Sequence, residues 1–340
     1  MTAGIVEGLE NAVSGASAWK RLPTGYPFFI WERSQRMLME YGKQSETAPA
    51  PSPDRVAELW KELQQGSETD IDVFLHVLSA FYLRGDQAAW VWAKDFLDAR
   101  ELKPITKKEN QAAPRRAGHR GEDIDDYEIA LYRLENIWLT IWASEPYGKK
   151  KPRRYVLRGR LINILDSWSQ ENLDGSERLP IAWLIQPGDG LREYLARFPS
   201  FSYLCRKAIS YDPYRELWEK RLARYFFFHL RFNGGGELHR AVGTLLETNS
   251  LPVDKRNPER TRARLEQALD RLVADHFIDE WHYAEQVKLP ARGWLAIWKQ
   301  QILVISAAPQ EGIADRTDLP PLIPSKHVPG RRLRRKKRGT

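Results

Sequence analysis

The order of helical and strand-like periodicities constrains this fold more than any other feature of the sequence. Helical patterns are followed by strand-like segments, and the same succession begins again in the second half of the chain. Three helices closed by a β-hairpin form a winged helix, whose third helix faces outward. No sequence identity accompanies the repetition, so the repeat is architectural. We therefore expect a chain that is mainly α-helical with small β-hairpins (α+β) and contains two tandem winged-helix domains.

The first round begins beyond a proline-rich stretch, SETAPAPSPD, which is typical of a linker or exposed loop. Asp70 or Asp72 is expected to cap the second helix, and Gly85 to end it. The helical segments are DRVAELWKELQQG, DIDVFLHVLSAFYLRG, DQAAWVWAKDFLDARELKP and EDIDDYEIALYRLENIWLTIW, and the strand segment is YVLRGRLINILDSW.

The second round has three helical segments, YRELWEKRLARYFFFHLRF, ELHRAVGTLLETN and NPERTRARLEQALDRLVADHF. The strands IDEWHYAE and ILVISAAP follow, separated by a basic stretch that contains ARGWLAIWK. The predicted organisation is a flexible N-terminal extension and linker (1–69), a first winged-helix domain (70–195), a second (196–310) and a disordered basic tail (311–340).

Composition and charge describe a globular chain whose basicity is uneven. Of 340 residues, 42% are apolar and 13 are Trp, which is enough to fill real cores. The net charge of +8 equals the eight basic residues that follow Pro320, where no acidic residue occurs. The remainder is close to neutral, so partners must be inferred from local clusters.

The single cysteine, Cys205, cannot form an internal disulfide, and the N-terminus lacks a basic flank followed by a long apolar run. No apolar stretch approaches the roughly 20 residues of a membrane helix. A cytoplasmic protein without a membrane partner is expected.

The segment from Arg260 to Phe277 carries the main functional prediction. Asn257 is the expected N-cap and Pro258 suits the first turn. On a helix, one face is apolar, formed by Leu265, Ala268, Leu269 and Leu272. A polar stripe roughly 130° away is formed by Arg260, Arg264, Gln267 and Arg271. Arg and Gln side chains match guanine and adenine edges in the major groove. The alternative is a solvated face whose arginines pair with Glu266 and Asp270.

Three basic clusters are candidates for binding DNA phosphates. The first is predicted to be the wing of the first domain and contains Lys149, Lys150, Lys151, Arg153 and Arg154. The second precedes the helix that starts near Asp123 and contains Arg115, Arg116 and Arg120. The third lies between the last two strands and contains Lys288 and Arg292. Solvated surface loops are the alternative for each cluster.

Catalytic and metal-binding patterns are missing from the sequence. It contains no His-x-His, His-x-x-Arg, His-Glu-x-x-His or P-loop pattern, and one cysteine cannot build a Cys-x-x-Cys zinc site. We therefore expect no catalytic residues, no metal and no cofactor.

The segments RTRARLEQALDRLVADHFIDEWHYAEQ and GWLAIWKQQILVISAAP, preceded by YDPYRELWEKRLARYFFFHLRF, resemble the C-terminal winged-helix module of bacterial plasmid replication initiators. FLDARELKP and RRAGHRGEDIDDYEIALYRLENIWLTIW resemble the first module. The resemblance implies a protein that binds repeated origin sequences (iterons) in double-stranded DNA, recruits the host initiator and helicase, and is regulated by homodimerisation. The Ala/Pro-rich N-terminal segment and the arginine tail depart from that family and leave the dimer contact open.

Two other functions remain compatible with the sequence. A winged-helix regulator of transcription or of a mobile element has the same modules. An enzyme that processes nucleic acid through scattered carboxylates belongs to a different class.

Overall fold

A computed structural model describes residues 5, 8–9, 11–13, 19–23, 25–32, 36–84, 88–102, 121–147, 150–171, 177–192, 205–232, 236–254, 256–285, 290 and 293–308. The strands are β1 (Lys20–Arg21), β2 (Pro27–Glu32), β3 (Arg36–Tyr41), β4 (Ala89–Trp92), β5 (Ile137–Tyr147), β6 (Lys150–Arg160), β7 (Ile162–Glu171), β8 (Glu177–Pro187), β9 (Leu238–Ala241), β10 (Ile278–Tyr283) and β11 (Ile302–Ala307). The helices are α1 (Pro53–Gln64), α2 (Glu68–Arg84), α3 (Ala93–Ala99), α4 (Gly121–Glu135), α5 (Cys205–Ser210), α6 (Leu217–Phe232), α7 (Val242–Thr248), α8 (Pro258–Ala274) and α9 (Trp294–Gln300).

The first unit contains two antiparallel sheets. Strands β4, β8 and β7 form one sheet in that order, and α2, α3 and α4 pack with it. The hairpin β5–β6 comes between α4 and β7 in the chain and completes a five-stranded sheet of order β1-β2-β3-β5-β6. One apolar cluster joins both sheets, with Phe74, Tyr127, Leu139 and Trp183 fully or almost fully buried.

The second unit is smaller and has its own core. Strands β10, β11 and β9 form its sheet in that order. Helices α6, α7 and α8 contribute Leu222, Leu245 and Leu265 to a cluster that also contains Trp298 and Ile305. Helix α9 lies between β10 and β11 in the chain.

The two units share one order of elements. In the first unit, apart from the hairpin β5–β6, the order is α2, β4, α3, α4, β7 and β8, and β8 lies in the middle of its sheet. In the second unit the order is α6, β9, α7, α8, β10 and β11, with α9 between the last two strands, and β11 lies in the middle. The predicted α+β class is confirmed. The prediction underestimated the β-structure, because β5 and β6 each have 11 residues and belong to a five-stranded sheet.

The N-terminal part of the chain differs from the predicted flexible extension (1–69). Strand β3 pairs with β5 from Arg36 opposite Trp142 to Tyr41 opposite Ile137, and β2 pairs with β3. Strands β1, β2 and β3 therefore belong to the first unit. The predicted basic tail (311–340) lies outside the described residues.

Two further predictions are corrected by the sheets. YVLRGRLINILDSW is not one strand, because β6 ends at Arg160 and β7 begins at Ile162 in a different sheet. The hairpin of the first unit that corresponds in order to strands β10 and β11 is β7–β8, whereas the basic cluster at Lys150–Arg154, predicted to be the wing, lies in the hairpin β5–β6.

The N-cap, the first-turn proline and the apolar face predicted for α8 are all present in the structure. Its N-cap is Asn257, whose Oδ1 accepts a hydrogen bond from the Arg260 backbone N–H at 3.3 Å, and Pro258 occupies the first turn. The predicted apolar face is buried, and the helix ends at Ala274 before His276 adopts a positive φ of 58°.

Candidate nucleic-acid interface

The outward face of α8 is a stripe of polar and small side chains. Three long side chains and two alanines are exposed along it, namely Arg260, Ala263, Gln267, Arg271 and Ala274, and the acidic residues Glu259 and Asp270 are exposed beside it. The alanines leave the helix surface accessible between the long side chains. Three of the four residues predicted to project together therefore do so.

Arg264 is the exception among the four. Its Nη1 and Nη2 donate to the two carboxylate oxygens of Glu219 on α6, both at 2.6 Å, and its guanidinium lies 5.9 Å from the centre of the Trp218 ring. Because Glu219 is buried, this pair joins α8 to α6 inside the second unit. The prediction that Arg264 points outward to read a base is not supported by this geometry.

Arg271 remains exposed although it has an intramolecular partner. Its Nε lies 3.0 Å from Asp275 Oδ2, and 55% of its side chain is exposed. The Tyr211 hydroxyl donates to the same Asp275 oxygen at 2.8 Å. Burial and this carboxylate raise the pKa of Tyr211, so the phenol stays protonated and the contact is kept at neutral pH.

Two other elements flank the α8 stripe. On the Arg264 side lies the loop that leads into α6, where the Arg215 carbonyl accepts from Arg264 Nη2 at 3.4 Å. On the opposite side lies β10, where Trp281 Nε1 donates to Asp270 Oδ1 at 2.9 Å. The stripe is thus bordered by a loop and by a hairpin.

Two of the three acidic residues of α8, Glu266 and Asp270, contact the hairpin, and the third, Glu259, is exposed in the first turn. Glu266 accepts from Arg262 at 2.8 Å and from the Tyr283 hydroxyl at 3.0 Å. Burial, aided by Glu266 and opposed by a hydrogen bond from Trp298, raises the pKa of Tyr283 to about 12. The alternative of a solvated face with ion-paired arginines fits in part, because Glu266 pairs with Arg262 and Arg271 pairs with Asp275, whereas Asp270 accepts from Trp281 of β10.

Helix α4 occupies the equivalent place in the first unit, and its buried residues repeat the spacing seen in α8. Tyr127, Ala130, Leu131 and Leu134 stand where α8 has Leu265, Ala268, Leu269 and Leu272. In this alignment, Arg260, Arg264 and Gln267 of α8 correspond to Glu122, Asp126 and Ile129 of α4.

The outward face of α4 is therefore acidic and apolar. Glu122 and Asp126 are exposed, as are Ile129 and Tyr132 at 45% and 44%. Arg133, which corresponds to Arg271, donates to both carboxylate oxygens of Asp70 at 2.9 Å and to the Gln65 carbonyl at 2.9 Å. Such a face repels phosphates, so α4 lacks the charges that would favour entry into a DNA groove.

The predicted basic clusters are only partly described. Lys150, Lys151, Arg153 and Arg154 lie on β6, where Arg154 is opposite Ser144 of β5 and is exposed. The other predicted DNA contacts lie outside the described residues, and they are Arg115, Arg116, Arg120, Lys149, Lys288 and Arg292.

A buried ionic cluster joins the two units, and the sequence analysis missed it. Lys220 Nζ lies 2.8 and 3.0 Å from the Asp72 carboxylate oxygens, and both side chains are fully buried. Glu68 pairs with Arg221 and Arg224 of α6. Asp72, expected as a possible N-cap, is instead a buried partner inside α2, which begins at Glu68. Its position within the apolar run DIDVFLHVL was the available signal.

Among the described residues, no group of three His, Cys, Asp or Glu side chains is placed to hold a metal ion. Within the same residues, every helix is too short or too polar to cross a membrane.

Comparison with known proteins gives distant structural likenesses. No protein-family model matches the chain, and no curated protein gives a significant match. A crystal structure of domains 2 and 3 of RctB has 14% identity and a TM-score of 0.44, covering 88% of this chain and 99% of that one. A second crystal structure of RctB domains 2–3 has 12% identity and a TM-score of 0.46, covering 90% and 99%. Likenesses this distant carry no argument about function.

Proposed function

We propose that the protein binds double-stranded DNA in a sequence-specific manner by inserting α8 into the major groove. The observation that carries the proposal is the exposed stripe of Arg260, Gln267 and Arg271. The forked donors of Arg match guanine O6 and N7, and the amide of Gln matches adenine N6 and N7. Ala263 and Ala274 are small enough to let the helix approach the base edges.

The charges favour the second unit as the one that reads bases. On α8, Glu266 and Asp270 accept hydrogen bonds from the hairpin, whereas α4 presents Glu122 and Asp126 outward. In this proposal, one helix reads bases, and the first unit contributes to binding through other surfaces.

The proposal takes both units to be winged helices, with β7–β8 and β10–β11 as their wings. Support comes from the order of elements in each unit, in which the last strand is central. Together with the sequence resemblance, this order favours a replication initiator of a plasmid or mobile element that binds repeated origin sequences. Its further partners would be the host initiator, the helicase and a second copy of the chain, and it would act in the cytoplasm without a catalytic reaction of its own.

The first experiment is selection of bound duplexes from a random pool, followed by affinity measurements on the selected site. Gln267→Ala is expected to cost about 1 to 3 kcal/mol on that site and to relax preference at one base pair, because a bidentate base contact is lost. Arg271→Ala should behave likewise at a neighbouring position. Arg55→Ala is the matched control, since Arg55 is a 42% exposed, ion-paired arginine on α1.

Equal losses on selected and random DNA would show that Gln267 and Arg271 do not read bases. Failure to enrich any sequence would refute sequence-specific binding altogether. The initiator role is tested separately, by asking whether a plasmid that carries tandem copies of the selected site replicates only when the protein is expressed.

A further inference from the structure

Tyr214 is the most exposed large apolar side chain among the described residues, with 89% of its surface accessible. It lies in the loop between α5 and α6, next to Arg215, which is also exposed. Nothing in the fold of the second unit requires an aromatic ring there, because the ring is excluded from the core.

The loop that carries Tyr214 is held in place by hydrogen bonds. Asp212 Oδ1 accepts from the backbone N–H groups of Tyr214 and Arg215, both at 2.8 Å. Glu216 Oε2 accepts from the backbone N–H of Asp212 at 3.0 Å. The Arg215 amide contributes most to lowering the pKa of Asp212, so this carboxylate is ionised at neutral pH. Pro213 is buried, so the backbone presents Tyr214 outward in a defined direction.

This loop runs along α8 beside the exposed stripe. Tyr211, at one end of it, donates to Asp275 just beyond the end of α8. The Arg215 carbonyl, at the other end, accepts from Arg264 in the first half of α8. Tyr214 and Arg215 therefore lie on the flank of α8 opposite the β10–β11 hairpin.

We propose that Tyr214 and Arg215 bind the sugar-phosphate backbone of the DNA strand that borders the groove entered by α8. This inference rests on the proposed function and adds two contact residues to it. The Arg215 guanidinium donates charge-assisted hydrogen bonds to a phosphate, and the Tyr214 hydroxyl donates to a phosphate oxygen while its ring packs on the sugar. Backbone contacts of this kind fix the position and orientation of a reading helix without carrying sequence information.

The test compares Arg215→Gln and Tyr214→Phe in the full-length protein, on the selected duplex and on random duplex DNA. Arg215→Gln is expected to weaken binding to both and to reduce the slope of log K against log salt by about 0.9, since one phosphate is no longer neutralised. Tyr214→Phe should weaken binding to both by about five-fold, the effect of one lost hydrogen bond, and leave the slope unchanged. Neither variant should change base preference, in contrast to Gln267→Ala.

Two matched controls separate this effect from general surface effects. Tyr132→Phe removes the hydroxyl of a 44% exposed tyrosine on the acidic face of α4, and Arg55→Gln removes a charge far from α8 in the chain. Both should bind DNA like the unaltered protein.

An unchanged affinity and salt slope for Arg215→Gln would overturn the proposal, and so would a changed base preference. A change in sedimentation of Tyr214→Phe, with DNA affinity unaltered, would overturn it in favour of a protein-protein contact. If selection enriches a site but both variants bind normally, only this inference fails. If no sequence is enriched while Arg215→Gln still lowers the salt slope on random DNA, the backbone contact stands and sequence-specific reading fails.

Discussion

The buried pair Lys220–Asp72 makes a sharp prediction about how the two units are held together. Lys220 Nζ donates to both Asp72 oxygens at 2.8 and 3.0 Å and to the carbonyl oxygens of Ala208 and Ile209 at 3.1 and 3.0 Å. Lys220→Met removes all four hydrogen bonds and leaves the Asp72 carboxylate without its nearest cation. Arg224, at 3.6 Å, is the other cation beside it.

The expected cost follows from this geometry. Breaking a buried ion pair by removing one partner costs about 3 to 5 kcal/mol, because an uncompensated buried charge remains. Since Arg224 still lies near Asp72, the lower end, about 3 kcal/mol, is expected for Lys220→Met. The double variant Asp72→Leu with Lys220→Met removes both charges and should cost about 1 to 3 kcal/mol, mainly for the two unpaired carbonyl oxygens.

Burial explains why the double variant should cost less than the two single variants together. It raises the pKa of Asp72 and lowers the pKa of Lys220, so the ionised form of each group depends strongly on the opposite charge of the other. The measurement is urea unfolding followed by circular dichroism. Because α2 belongs to the first unit and α6 to the second, Lys220→Met should also separate the unfolding of the two units into distinguishable transitions.

Lys94→Met is the control, since Lys94 is a 72% exposed lysine paired with Asp98 four residues away on α3. Its removal should cost less than about 0.5 kcal/mol. A cost below about 1 kcal/mol for Lys220→Met would refute the reasoning. Equally, if the two single variants summed to the cost of the double variant, the groups would be acting independently.

Three further predictions concern stability and titration. Burial raises the pKa of Glu68, but the neighbouring arginines, Arg224 first, outweigh it and lower that pKa below the ordinary 4.5. The ionised carboxylate therefore stabilises the protein above pH 4.5. The difference in free energy of unfolding between the unaltered protein and Glu68→Gln, measured in urea, should disappear as the pH falls through the lowered pKa. Gly42→Ala should cost roughly 1 to 2 kcal/mol in thermal unfolding, because Gly42 has φ +81° and an added Cβ would collide with Leu59; an unchanged melting temperature would contradict this. The phenol of Tyr283, with a pKa of about 12, should contribute stability below pH 10 that is lost as the pH rises through 12, and a phenolate absorbance titration should lose one late-titrating group in Tyr283→Phe.

Helix α8 shows what could be predicted from the sequence. Its N-cap, its first-turn proline and its apolar face were read correctly, and only the C-terminal boundary moved, from Phe277 to Ala274. These features are local, since capping and the 3.6-residue period act within one or two turns. A 17-residue helix repeats the period often enough for the pattern to be unambiguous.

Strands β4 and β9 show why short elements were missed. Each has four residues and passes directly into a helix, α3 or α7. The N-cap residues at these junctions, Trp92 and Ala241, make no side-chain capping hydrogen bond, so no sequence signal separates strand from helix. Both segments were therefore read as single helices.

Non-local pairing explains the remaining differences. The strands at 20–41 are fixed by pairing with β5 about a hundred residues later, and Arg264 is turned inward by Glu219, 45 residues earlier. On the helix, Arg264 lies at the edge of the outward stripe, where periodicity alone does not decide between solvent and a neighbouring helix. The ionic cluster at Asp72 likewise depends on α6, 148 residues away at Lys220.

The two third helices separate what specifies a fold from what specifies a role. Their buried positions have the same spacing, because each helix must pack against a three-stranded sheet and a preceding helix. Their exposed positions are free of that requirement, and they carry Glu122 and Asp126 in one unit but Arg260 and Gln267 in the other. Since the chain outside its tail is nearly neutral, no general positive field compensates for the acidic α4 face. In the proposed function, attraction to DNA must therefore come from local clusters of basic residues, of which α8 and the loop beside it form one, so single substitutions there are expected to change affinity measurably.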